Sequence, residues 1–148
     1  MGTRFNHIGH CVTDLPRARR FYEELLGFTF LREIHPSDES SAQLLRLPPP
    51  LGMTAVYLER DGCVLELLHF AGEGGAPLPR RERAVNEPGL THLSVSCDVA
   101  EVCSRISDFG GEVLTDTDIG LAVFVRDPDG QLVELLPMAY WESLHPQG

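Results

Sequence analysis

Two segments of this chain repeat one another, and each places an acidic side chain where a strand interior is expected. Residues 61–68 (DGCVLELL) recur as 129–136 (DGQLVELL), with five of the eight positions identical. The Asp-Gly pair signals a tight turn and the apolar run after it a strand. Glu66 and Glu134 therefore fall in mid-strand in both copies. Two histidines are matched in the same way: His7 in RFNHIGHCVT (4–13) and His92 in LTHLSVSC (90–97), each near the start of a strand-like run. A carboxylate on an apolar strand costs free energy unless something compensates it. One such glutamate is readily matched by an arginine, and a single histidine is readily a surface or hydrogen-bonded core residue. Two of each, at equivalent places, point to a common partner. Two imidazoles and two carboxylates neutralise a divalent cation, and they suit Zn, Ni, Co, Mn or Fe better than calcium. The expected metal ligands are His7, Glu66, His92 and Glu134. His10, His35, His69 and His145 have no repeat partners and stay outside the set.

The elements that must position these residues also read twice. Asp14-Leu15-Pro16 opens a helix, with proline suited to the first turn. Its apolar face is Ala18, Phe21, Tyr22 and Leu25, and Gly27 stops it. In the second half Asp98 caps a helix whose apolar face is Val99, Val102, Cys103, Ile106 and Phe109, ended by Gly110-Gly111. Three more strands follow in each half, at 28–34, 53–60 and 63–70 and then at 112–116, 120–127 and 131–137. The order is β-α-β-β-β, twice. Alternation sorts the faces: Leu93, Val95 and Cys97 form an apolar face for the helix. His92, Ser94 and Ser96 point to the opposite, more polar side, as do His7, Gly9 and Cys11 by analogy. The expected layout is one domain over 1–148, with module 1 at 4–70, a Gly/Pro-rich linker at 71–89, module 2 at 90–138 and a tail at 139–148. Residues 35–51 are an insertion with no counterpart in the second half, expected as a lid, a pocket wall or a plain surface loop. Tyr140 and Trp141 in the tail are expected to pack rather than to catalyse.

Bulk properties narrow the partners. A hydrophobic content of 43% permits a buried core, and 23% charged residues fits a globular chain rather than a disordered one. A net charge of −10 repels phosphates, so nucleic acid and anionic membranes are not expected as partners. No apolar run is long enough to span a bilayer, and the N-terminus lacks a signal-peptide layout. The expected location is cytoplasmic. The four cysteines lack metal-binding spacings and read as buried free thiols in a reducing compartment.

With these pieces in view, the chain resembles the vicinal oxygen chelate superfamily, which includes glyoxalase I, methylmalonyl-CoA epimerase, extradiol dioxygenases, and fosfomycin and bleomycin resistance proteins. The matching stretches are HIGHCVTDLPRARRFYEELLGF, GCVLELLHF, GLTHLSVSCDVAEVCSRISDFGG and VFVRDPDGQLVELLP. The resemblance implies an α+β fold in which two paired βαβββ modules form an open, barrel-like mixed sheet with helices outside. It implies metal ligands from the first and last strand of each module, the same four residues. It also implies a homodimer and a small-molecule substrate that presents two adjacent oxygens. Extradiol dioxygenases and fosfomycin enzymes use two histidines and one carboxylate, so Glu66 favours the four-ligand pattern of glyoxalase I and the epimerase. The implied activity is that of a metal-dependent lyase or isomerase. It removes a proton beside a carbonyl through a chelated enediolate or enolate, with Glu134, or else Glu66, as the catalytic base. The rival expectations are an Fe(II) extradiol-type dioxygenase and a non-catalytic drug- or metabolite-binding resistance protein.

Overall fold

The computed structural model describes residues 2–146. The chain divides into two compact units, Met1–Pro79 and Arg80–Gly148. Each carries its own four-stranded mixed sheet, and the sheet orders repeat as the sequence does: β1-β4-β3-β2 and β5-β8-β7-β6.

In the first unit, β1 (Ile8–Cys11) leads into a helix that begins as α1 (Leu15–Arg19) and runs on through a π turn at Arg20–Leu25. The Asp14 carboxylate caps it by accepting from the Arg17 amide at 3.0 Å, and Pro16 sits in the first turn. Ala18, Phe21, Tyr22 and Leu25 are buried, which is the face that the spacing predicts. Gly27 ends it at φ +75°; a Cβ there would collide with the Arg60 guanidinium, which hydrogen-bonds the Leu26 carbonyl. β2 (Thr29–Ile34), β3 (Met53–Arg60) and β4 (Cys63–Phe70) complete the sheet, and β1 lies parallel to β4. Leu58 and Val56 face Leu65 and Leu67 across the ladder, all four buried. The insertion is neither a free loop nor a detached lid. It forms α2 (Asp38–Leu45), and Ala42, Leu45 and Leu47 pack on the cluster of Leu51, Met53 and Ala55. The Asp38 carboxylate accepts from the Leu51 and Gly52 amides at 3.1 and 3.0 Å, which ties the helix to the return of the chain.

In the second unit, β5 (His92–Ser96) leads into α3 (Val99–Arg105), and a 3-10 turn (Ile106–Phe109) extends it. Asp98 caps α3 by accepting from the Glu101 amide at 3.0 Å, and Gly110 ends the segment at φ +79°. β6 (Glu112–Val113), β7 (Val123–Arg126) and β8 (Leu132–Leu136) complete the sheet, with β5 parallel to β8. α4 (Met138–Leu144) lies against β5, and the Trp141 ring stacks on His145. Val123, Val125, Val133 and Leu135 are buried. β6 and β7 are shorter than the runs 112–116 and 120–127. Thr115–Thr117 forms a 3-10 turn, and the Thr117 hydroxyl donates to the Leu114 carbonyl while accepting from the Phe124 amide.

The two Asp-Gly pairs build different turns. Asp61 and Gly62 both have positive φ and close a two-residue hairpin between Arg60 and Cys63. In the second copy the loop from Arg126 to Leu132 is longer, and the buried Asp127 organises it. Its carboxylate accepts from the Asp129 and Gln131 amides at 2.9 and 2.8 Å. Removing these charge-assisted bonds by Asp127→Ala is expected to cost about 1.5–3 kcal/mol of stability. Urea unfolding checks this, and an unchanged midpoint would mean that Pro128 and Gly130 shape the loop without Asp127.

The cysteines correct the sequence reading. None of the four is joined in a disulfide, but Cys11 and Cys63 are exposed and Cys97 and Cys103 only half-buried. Cys11 shares its strand face with His7 and Gly9, away from the helix. No helix among the described residues is long and apolar enough to cross a membrane.

Candidate metal centre

The register of the parallel strand pairs places each histidine beside its glutamate. Gly9 on β1 pairs with Glu66 on β4, and Ser94 on β5 pairs with Glu134 on β8. His7 and His92 stand two residues earlier on the same faces. In the first unit the result is direct contact: His7 Nε2 lies 3.4 Å from Glu66 Oε1. The antiparallel neighbours repeat as well. Tyr57 pairs with Glu66 and Phe124 with Glu134. Each ring takes its histidine edge-on, His7 to Tyr57 at 5.5 Å and His92 to Phe124 at 5.2 Å. Both units thus hold the same triplet of imidazole, aromatic ring and carboxylate.

The imidazoles are oriented alike. His7 Nδ1 is engaged by the Asn6 side-chain oxygen, and His92 Nδ1 by the Thr91 hydroxyl at 2.7 Å. An amide oxygen only accepts, so a proton on His7 Nδ1 would leave Nε2 open to a cation. Nε2 stands 3.4 Å from a carboxylate oxygen, where a cation or a proton can join the two. A second hydrogen bond that fixes the tautomer of a ligating histidine is the usual support of a metal site. The donor set therefore fits a divalent ion. Among the described residues no group of three or more His, Cys, Asp or Glu side chains is gathered to hold one, and the donors come as a pair in each unit.

The two glutamates differ in their surroundings. Glu66 is 8% exposed; on its sheet face Tyr57 and Leu68 pack against the Leu51, Met53 and Ala55 cluster, which also carries the insertion. Tyr57 lies opposite Glu66, and burial together with that carboxylate pushes the phenol up to about 12. Glu134 is half-buried and opens onto a cavity of about 970 Å³ within the second unit, whose lining includes Phe124, Leu132 and Thr91. Its Oε1 accepts from the Ser94 hydroxyl at 2.9 Å.

The segment expected as a plain linker walls this cavity with Arg80, Arg81 and Arg83. It is strapped down by Arg126 to Glu82 at 2.5 Å and Arg80 to Gln131 at 3.2 Å. Arg81 pairs with Glu87 at 2.7 Å and draws that carboxyl down to about 2. Sequence reasoning put Ser94 on the correct face without a role, and it missed Tyr57. The two-residue hairpin at Asp61-Gly62 held the signal, since it fixes Tyr57 opposite Glu66.

The comparison with known proteins decides what this scaffold is. The pattern of the glyoxalase/bleomycin resistance protein/dioxygenase superfamily matches residues 4–135. The chain belongs to that superfamily. Within it, glyoxalase I of Saccharomyces cerevisiae is 28% identical over 146 residues, covering 93% of this chain and 44% of the yeast protein. A lactoylglutathione lyase of Pseudomonas putida is 28% identical over 144 residues, covering 89% of this chain and 83% of its own. The chain thus spans less than half of the yeast relative and most of the bacterial one. Two solved superfamily structures share the fold. Leishmania major glyoxalase I superposes with a TM-score of 0.68 at 24% identity, over 97% of this chain and 93% of its own. The fosfomycin resistance protein FosX of Listeria monocytogenes, solved with Mn(II) and sulfate, superposes with a TM-score of 0.63 at 18% identity, over 97% and 99%. The paired α+β modules expected from the sequence are those of this superfamily.

Proposed function

We propose that this superfamily member is a divalent-metal-dependent lyase or isomerase of the glyoxalase type, with His7, Glu66, His92 and Glu134 as the metal ligands. The observation that supports the reading is the His7–Glu66 contact, an imidazole nitrogen 3.4 Å from a carboxylate oxygen, in a strand register with an aromatic neighbour that the second unit repeats. The relatives named glyoxalase I and lactoylglutathione lyase support the reaction class. A Zn, Ni, Co, Mn or Fe ion bound by these residues supplies Lewis acidity, which stabilises negative charge on the substrate oxygens.

The chain's own groups do the rest. A small substrate with two adjacent oxygens enters beside Glu134, in the cavity that Phe124 and Leu132 help to line. Glu134 takes the proton from the carbon next to the carbonyl and returns it to the neighbouring carbon. Glu66, covered and held by Tyr57, stays in place. An Fe(II) extradiol-type dioxygenase is the weaker reading, because a two-histidine, one-carboxylate site leaves Glu66 without a task. A sequestering protein leaves all four donors without one.

The test is elemental analysis of the purified chain, followed by assay with the glutathione adduct of an α-oxoaldehyde, an acyl-CoA epimer and a catechol. Metal-dependent isomerisation of either of the first two substrates is the expected result. Oxygen uptake with the catechol, or tight binding without turnover in metal-free protein, would replace the proposal. A homodimer in sedimentation is the assembly expected of the functional protein.

A further inference from the structure

The repeat breaks at the two positions that flank each glutamate, and it breaks in a complementary way. Across the parallel pair, Glu66 faces Gly9 and Glu134 faces Ser94. Across the antiparallel pair, Glu66 faces Tyr57 and Glu134 faces Phe124. Each carboxylate therefore has one flanking residue with a hydroxyl and one without, and the sides are exchanged. Ser94 Oγ donates to Glu134 Oε1 at 2.9 Å, and Tyr57 stands directly opposite Glu66 with its ring edge-on to His7.

We propose that Tyr57 and Ser94 are equivalent positioning residues, each holding the glutamate of its own module in the orientation that binds the metal. This rests on the metal-site reading above. A carboxylate on a strand turns freely about its last bond. A single hydroxyl donor fixes that rotation and occupies one oxygen, so the other is presented in a constant direction. Neither strand side is special, because a short serine on the parallel neighbour and a long phenol on the antiparallel neighbour reach the same acceptor. Gly9 offers no hydroxyl in the first unit but leaves room for one. A Cβ there would stand 3.6 Å from Glu66 Oε1, at ordinary contact distance, so a serine in its place would bring a second hydroxyl to the carboxylate.

The exchange supplies its own test. Tyr57→Phe and Ser94→Ala are each expected to weaken Zn²⁺ binding about tenfold, the lower end of what supporting partners of metal ligands contribute. The thermal midpoint of the metal-free chain serves as the control for folding. Moving the hydroxyl to the other flank should restore the affinity: Gly9→Ser in the Tyr57→Phe background, and Phe124→Tyr in the Ser94→Ala background. Ser94→Thr, which keeps the hydroxyl, should bind as the parent does. Single variants that bind Zn²⁺ like the parent overturn the proposal, and so do relocated hydroxyls that restore nothing. The outcome for the site reading is separate. If the parent binds no Zn²⁺, or if His7→Ala and His92→Ala leave binding intact, that reading fails and this inference with it. If those histidine variants lose the ion while Tyr57→Phe and Ser94→Ala keep it, this inference alone fails.

Discussion

Glu134→Gln is expected to reduce turnover by about 10²–10⁴-fold, the range attributable to a positioned general base, with the fold unchanged. The substitution keeps the shape and an oxygen acceptor for Ser94, so the strand pairing between β5 and β8 is undisturbed. What it removes is the basic oxygen. Glu134 rather than Glu66 is proposed for this role because of cover. Glu66 is 8% exposed, against Tyr57 and His7. Glu134 is half-buried and lines the cavity that Arg80, Arg81 and Arg83 wall, so it is the more open of the two. Glu66→Gln should lower turnover less, mainly through weaker metal retention, and excess metal should recover part of the loss. Steady-state kinetics on metal-reconstituted variants separate the two. Full activity in both variants would exclude a ligand acting as the base, and a larger loss in Glu66→Gln would transfer the assignment.

The contrast between covered and open glutamates shows what the sequence carried. β3 and β4 match the expected runs residue for residue, because a two-residue Asp61-Gly62 turn sets the register and the alternation around it is strong. The helix starts were equally legible, since Asp14 and Asp98 are capping residues whose carboxylates do cap. The run 4–13 shrank to Ile8–Cys11, which pairs with Leu65 to Leu68 in the middle of the longer β4. The run 112–116 shrank as well. Its end folds into the 3-10 turn at Thr115–Thr117, and the Thr117 hydroxyl just beyond it takes hydrogen bonds that a ladder would otherwise use. The paired histidines and glutamates were visible through the repeat alone. The hydroxyls that hold them were not, because Tyr57 and Ser94 acquire roles only through cross-strand register. Nor did composition show that a Pro- and Arg-rich connection lies down as a cavity wall, which depends on Arg126 meeting Glu82 44 residues away.

Loss of either imidazole is expected to remove the metal. Supporting hydrogen bonds around a metal ligand already account for about 10–100-fold in affinity, so removing a ligand itself should cost more than about a hundredfold. His7→Ala and His92→Ala are therefore both expected to leave the purified chain without stoichiometric metal, while the parent retains one ion per chain. Stability should change little in the metal-free state, because both rings are only half-buried and lie outside the cores around Leu67 and Val133. The informative result is the equivalence of the two variants. His7 belongs to the first unit and His92 to the second, and their surroundings match: Nδ1 engaged by the preceding residue, an aromatic ring at the edge, a glutamate on the adjoining strand. If one ion draws on both modules, each single variant loses all of it. If each module bound its own ion, the parent would hold two and each variant would keep one. Elemental analysis of the three proteins distinguishes these outcomes. A variant that retains the full metal content of the parent would remove its histidine from the ligand set.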